Sequence, residues 1–214
     1  MNETKRNEDH MIILLDLDDT VLDWSHRYDT EIREKFPLLT GIPLGQSRRA
    51  FDLWSERTEE ERAAILSVMD STGFYSRLEP IPGAVEAYHE MVADGHDVAF
   101  LSSPWYTNPT CLDDKARSVL KHFGEDALAN LILTKKKWRV NGDFLFDDKD
   151  NIEKADQAQW EQIIVSGPHN QASTLPRLEK WEDWRKVLNQ AILKKVEKHS
   201  DGNLAPRRSD QVTV

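Results

Sequence analysis

Met11-Ile-Ile-Leu-Leu-Asp-Leu-Asp-Asp-Thr20 is an apolar run that ends abruptly in three carboxylates and a hydroxyl. A run of four or five aliphatic residues bounded by polar ones reads as a fully buried strand. Its period of two brings Asp16 and Asp18 out on one side, while Leu17 turns back to the core. Two carboxylates leaving a buried strand tip in like orientation repel each other, so they stay ionised only where a cation or a hydrogen-bond network compensates them. Magnesium, a hard ion that takes oxygen ligands, is the natural candidate. Taken alone, the stretch also reads as an acidic turn that merely stops a strand.

On either side of this stretch the pattern alternates between helix and strand. Val21 to Phe36 reads as a helix that stops before Pro37, and the charged stretch from Arg48 to about Met69 as short helices. Pro82 and Gly83 suit a helix entrance, followed by an apolar face of Val85, Tyr88, Met91 and Val92 that Gly95 closes. Val98 to Leu101 is the next strand, ending in Ser102-Ser-Pro104. A helix with Leu112, Ala116, Val119, Leu120 and Phe123 on its stripe follows and stops at Gly124. Leu131 to Leu133, Phe144 to Phe146 and Ile163 to Val165 are three more strands, and a last helix carries Trp181, Trp184, Val187, Leu188, Ala191 and Ile192 on a core-facing stripe. Crossovers of this length permit parallel pairing, so the expected fold is α/β, a doubly wound parallel sheet. In such sheets ligands gather at the carboxyl ends of the strands. Asp16 and Asp18, Ser102, Lys137 and the pair Asp147-Asp148 all follow strand-like runs, which brings acid, hydroxyl, cation and acid to one edge.

Composition narrows the function. The 214 residues include 28 basic and 38 acidic ones for a net charge of −10, which disfavours binding to polymeric nucleic acid through its phosphates. A hydrophobic content of 39 % is that of an ordinary globular domain, and no apolar segment approaches a membrane span. Cys111 is the only cysteine, which excludes an intrachain disulfide and a cysteine zinc cluster and fits a reducing, cytoplasmic location. Residues 1–10 read as a flexible leader and 199–214 as a disordered tail.

Asp16-x-Asp18-x-Thr20-Val21, Ser102 after a strand, Lys137 and the Asp147-Asp148 pair resemble the four motifs of the haloacid dehalogenase superfamily of phosphohydrolases. Phe74-Tyr-Ser-Arg-Leu-Glu-Pro-Ile-Pro-Gly-Ala-Val-Glu-Ala87, Ser102-Ser-Pro104, Ile132-Leu-Thr134, Asp143-Phe-Leu-Phe-Asp-Asp-Lys149 and Trp181-x-x-Trp184 are more narrowly similar to the 5'(3')-deoxyribonucleotidase family. The resemblance implies a Rossmann-like catalytic core over residues 11–27 and 80–198, with a small helical cap inserted at 28–79. It implies Asp16 as the nucleophile that forms an aspartyl-phosphate and Asp18 as the general acid and base. Mg2+ would be held by Asp16, the backbone carbonyl of Asp18, and Asp147 and Asp148, one of that pair directly and the other through water. Ser102, Ser103 and Lys137 would hold the phosphate, and Lys115 corresponds to a family lysine nearby.

The implied substrate is a small-molecule nucleoside monophosphate, in a pocket formed by Trp24, Phe51, Asp52, Leu53, Trp54 and Met69. Trp24 and Phe51 correspond to aromatic members of the family's pocket, whereas Asp19, Asp52 and Met69 depart from the vertebrate pattern. An apolar wall of Trp24 and Phe51 against the 2' carbon would favour deoxyribose by roughly tenfold or more, since a ribose hydroxyl would lack a partner there. Asp52, able to accept from that hydroxyl, would work in the opposite direction. A phosphatase for another small phosphoester, such as a sugar phosphate, is the nearest alternative, and a receiver-like phosphoacceptor domain or a catalytically silent nucleotide binder the more distant ones. The oligomeric state is open, a homodimer included.

Overall fold

The computed structural model describes residues 10–202, so nearly all of the expected leader and most of the expected tail lie outside the described residues. Six strands, β1 (Ile12–Leu15), β2 (Asp97–Ser102), β3 (Leu131–Leu133), β4 (Phe144–Asp147), β5 (Glu161–Val165) and β6 (Arg177–Leu178), form one sheet in the order β3-β2-β1-β4-β5-β6. All pairs are parallel. The chain moves outward from β1 in one direction through β2 and β3 and in the other through β4, β5 and β6, so the order switches beside β1. That is where an open α/β sheet leaves a crevice.

Register fixes what borders the crevice. Leu15 pairs with Phe100 on one side and Phe146 on the other, so the residues that follow, Asp16 and Asp147, leave the sheet at one level, with Ser102 two positions beyond Phe100. Strands covered on both faces read as continuous apolar runs, and the central strands β1 and β4 do so for that reason. Ile13, Leu15, Phe100, Phe144 and Phe146 point into the main cluster with Tyr88, Phe123, Trp181 and Trp184. The alternate residues Leu14, Leu101 and Leu145 pack beneath Ile152 and Trp160 from the β4–β5 connection.

The helices are α1 (Trp24–Lys35), α2 (Glu59–Met69), α3 (Ala84–Ala93), α4 (Cys111–Phe123), α5 (Glu125–Ala129) and α6 (Trp184–Gly202). α1 begins three residues later than its apolar spacing suggests, because Asp23 caps it by accepting from the His26 amide. Between Arg48 and Met69 there is one α-helix rather than several. Thr58 and Glu61 build a capping box that starts α2, and upstream the Asp52 carboxylate accepts from the Trp54 and Ser55 amides and holds a turn. Gly83, at φ 80°, supplies the left-handed entrance to α3.

Two expected stripes shift. In α3 the buried face is Ala84, Ala87, Tyr88 and Met91, and Val92 is exposed. In α4 Leu112 and Leu120 face outward while Asp114, Lys115 and Ser118 are buried, an inversion that hydrogen bonds to Thr110, Asp18, Ser102 and the Tyr75 carbonyl compensate. The short α5 and β6 carry too few residues for a periodic signal. α6 runs to Gly202, past the point at which the polar tail was expected to begin. Trp181 and Trp184 are core residues, as their spacing indicates. Residues 24–79 carry α1 and α2 and join the main apolar cluster through Tyr28, Ile32, Ile65, Val68 and Phe74.

Candidate active site

Beyond Leu15 the chain turns sharply, with the Leu17 carbonyl accepting from the amides of Thr20, Val21 and Leu22. This tight loop is closed at Asp19, a non-glycine residue at φ 54°. Its left-handed backbone is tolerated by Asp, whose carboxylate accepts from the Ser25 amide at 2.7 Å and the Ser25 hydroxyl at 2.6 Å. Asp16 is buried and accepts from Lys137 Nζ at 2.6 Å, and the same ammonium donates to Asp147 at 2.5 Å. Of the three consecutive lysines only Lys137 turns inward, at the start of a short helical turn that Trp160 fastens by donating to the Lys137 carbonyl. Burial opposes its charge, but Asp147 and Asp16 more than offset this and raise its pKa.

Asp18 lies on the other side of Leu17. Lys115, with no exposed surface, donates to Asp18 Oδ2 at 2.7 Å and to Ser102 Oγ at 2.8 Å. Burial lifts the Asp18 pKa, Lys115 lowers it and Asp16 adds to the rise, leaving it at about 6. The carboxyl thereby holds or releases a proton near neutral pH. Among the described residues its Oδ1 is buried without a partner.

Asp16, Asp147 and Asp148 form a buried acidic trio with one oxygen from each within 4.8 Å of the others. Asp148 is fixed from several sides. Its amide donates to Thr20, its carbonyl accepts from Asn170, and its carboxylate meets His169 Nε2 at 2.9 Å. Burial raises the pKa of Asp147 and of Asp148, and the neighbouring carboxylates add to the rise. Three buried carboxylates oppose the single ammonium of Lys137, with the Arg48 guanidinium 3.7 Å from Asp148, so the donor set has the charge, the oxygen chemistry and the spacing for a hard divalent cation.

A cavity of about 450 Å³ opens over these groups. Trp24, Phe51, Asp52, Leu53, Trp54 and Met69 all line it, as do Ser102 and Ser103; Lys115 instead lies beneath, behind Asp18. Trp24 stacks on Tyr28 at 4.9 Å, Trp54 stacks on Trp105 at 5.8 Å, and Ser103 is exposed at the rim. The expectation of an apolar wall needs correction. The Arg48 guanidinium sits over both the Trp24 ring (5.4 Å) and the Phe51 ring (5.6 Å), so a cation shares the surface that those rings present. The Asp52 carboxylate is engaged in its own turn, which includes a hydrogen bond from the Ser55 hydroxyl.

Several residues of the site have no role assigned from the sequence. Trp105 is aimed by donating from Nε1 to Asp70 at 2.7 Å, and Tyr75 and Lys149, which fall inside the family-like stretches, lie over Lys115 and Phe51. His169 and Asn170, beyond β5, are recognisable only through their spatial contact with Asp148.

Residues 10–195 match the family model described as 5' nucleotidase, deoxy (pyrimidine), cytosolic type C protein. The chain is 33 % identical over 187 residues to the human 5'(3')-deoxyribonucleotidase, cytosolic type, covering 83 % of this chain and 92 % of the relative. It is 37 % identical over 179 residues to a Bordetella pertussis protein with the provisional name 5'(3')-deoxyribonucleotidase, covering 83 % of this chain and 95 % of the relative. Among solved structures, a Lactobacillus delbrueckii subsp. bulgaricus protein provisionally named a phosphoglycolate phosphatase superposes with a TM-score of 0.56 at 14 % identity, over 82 % of this chain and 97 % of its own. That last likeness concerns the fold.

Proposed function

Because the chain belongs to the 5' nucleotidase, deoxy (pyrimidine), cytosolic type C family, we propose that it is a phosphomonoesterase that hydrolyses nucleoside monophosphates, the 2'-deoxy ones included, to nucleoside and phosphate. The observation that carries this reading is the pair of carboxylates at the end of β1, Asp16 held by Lys137 and Asp18 by Lys115, on the floor of one cavity.

In this reading Asp16 attacks phosphorus and forms an aspartyl-phosphate, as the bond to the nucleoside oxygen breaks. Asp18 gives that oxygen its proton, then takes one from the water that attacks the aspartyl-phosphate and regenerates Asp16 with release of phosphate. A pKa near 6 suits a group that must do both. Lys115 holds Asp18 and Ser102 together, and Ser102 with Ser103 borders the space for phosphate oxygens. Lys137 offsets the negative charge that Asp16 and the phosphate bring together. Mg2+, held by Asp16, Asp147 and Asp148, would supply the further positive charge that a dianionic phosphate needs beside a carboxylate nucleophile. Residues 28–79 act as a cap that brings Phe51, Leu53, Trp54 and Met69 over the nucleoside. Under this reading the protein works in the cytoplasm, supported by its one cysteine, Cys111, whose thiol burial pushes up to about 11.

A panel of phosphomonoesters assayed with Mg2+ tests the proposal. Nucleoside monophosphates should exceed sugar phosphates and phosphoglycolate in kcat/KM by at least about tenfold, on the scale that a few pocket contacts provide. A preference for a phosphate without a base would overturn it.

A further inference from the structure

Arg48 stands apart from the groups used above. It comes from the inserted segment, its side chain is 6 % exposed, and it reaches across the cavity to Asp19 on the loop that follows β1. Among the described residues its guanidinium makes one hydrogen bond, from Nη2 to Asp19 Oδ2 at 2.9 Å, and its Nε is buried with no partner. A buried donor without an acceptor is costly, so the conformation favours a ligand that supplies an oxygen there after a small shift of the side chain.

The position says which part of a substrate that would be. Nη2 lies 3.7 Å from Asp148, so the guanidinium is one group removed from the acidic trio over which a phosphate would be transferred. It also lies against the rings of Trp24 and Phe51, which line the same cavity. In a nucleoside monophosphate the part between phosphate and base is the sugar. Asp19 takes one arm of the guanidinium and leaves the rest of the fork, a donor without acceptor capacity, for hydroxyl oxygens.

We propose that Arg48, oriented by Asp19, is a specificity-determining residue that donates a hydrogen bond to a sugar hydroxyl of the bound nucleotide. The inference rests on the nucleotide reading above. It makes discrimination at the sugar a matter of a charged donor as well as of apolar contact with the two rings.

The test compares UMP, dUMP, 2',3'-dideoxy-UMP and p-nitrophenyl phosphate on the wild type, Arg48→Met and Arg48→Lys, reading kcat and KM separately. The wild type should favour a nucleotide that carries the contacted hydroxyl over the one that lacks it by about tenfold in kcat/KM. Arg48→Met should collapse that ratio towards one, mainly through KM, and lose more on the hydroxylated nucleotide than on p-nitrophenyl phosphate by about tenfold. Arg48→Lys, which keeps the charge but not the fork, should restore only part of it. The ratio that collapses, UMP over dUMP or dUMP over the dideoxy compound, identifies the 2' or the 3' hydroxyl. Ratios that neither variant moves, or a wild type indifferent to both hydroxyls, overturn this inference alone. A wild type that hydrolyses p-nitrophenyl phosphate but none of the nucleotides overturns the nucleotide reading and this inference with it.

Discussion

Lys115 Nζ lies 2.7 Å from Asp18 Oδ2, although 97 residues separate them, and its side chain has no exposed surface. A buried ammonium is tolerated there because a carboxylate and the Ser102 hydroxyl receive it, and it ties α4 to the loop after β1. Lys115→Met should therefore lower kcat by at least about 10²-fold, the scale of a misplaced general acid, with a smaller change in KM. Steady-state kinetics checks this, with circular dichroism to show that the fold persists.

Asp16→Asn should reduce turnover by at least about 10³-fold, since an amide cannot form the acyl phosphate. Nucleotide affinity, read by equilibrium binding, should remain. Substantial residual turnover in a preparation free of other phosphatases would remove Asp16 from the nucleophile's role.

Removal of divalent metal with EDTA should abolish activity, and added Mg2+ should restore it. Because the ion binds the folded site, Mg2+ should also raise the melting temperature of the wild type, and this rise should be absent in Asp147→Asn or Asp148→Asn. A calorimetric scan with and without the ion decides the point independently of turnover.

His169→Ala should weaken Mg2+ binding by about 10- to 100-fold, because His169 contacts the carbonyl and carboxylate of Asp148 and acts by orienting that carboxylate. At saturating Mg2+ most of the activity should return. A loss that Mg2+ does not relieve would assign His169 some other part.

Glu31 gives a pH prediction away from the chemistry. Burial pushes its carboxyl up, but hydrogen bonds from Lys35, Arg77 and Arg27 outweigh this and hold the pKa down at about 2. A depressed pKa contributes stability that is present above the unfolded value of 4.5 and is lost as the pH falls towards 2. Glu31→Gln should cost on the order of 1–3 kcal/mol at neutral pH, or roughly 5 °C in melting temperature. The gap to the wild type should close as the pH is lowered from about 4.5 towards 2, and a gap constant across that range would exclude the ionised cluster as its cause.

The apolar runs and the residues that end them made the strand order of chemistry legible. Asp16, Ser102, Lys137 and Asp147 each follow a run that is a strand or a strand's continuation in the structure. Helical faces were harder to read wherever polar groups are buried in pairs. α4 turns Lys115, Asp114 and Ser118 inward and leaves Leu112 and Leu120 outside, which hydrophobic periodicity assigns the other way round. The segment from Arg48 to Thr58 has no period, because its shape comes from a turn at Asp52 and from contacts with the core.

The sequence by itself determined the α/β class and the sheet edge at which the carboxylates, the serine hydroxyl and the lysine gather, because burial on both faces of a parallel strand demands a continuous apolar run and a polar end is conspicuous after one. Only the tertiary structure decided how those groups are paired: Lys137 between Asp16 and Asp147, Lys115 between Asp18 and Ser102, His169 against Asp148, and Arg48 from the inserted segment against Asp19. Each of these contacts spans between 10 and 121 residues along the chain, and partner choice at such separations depends on strand register and on the packing of the insert, neither of which leaves a local pattern.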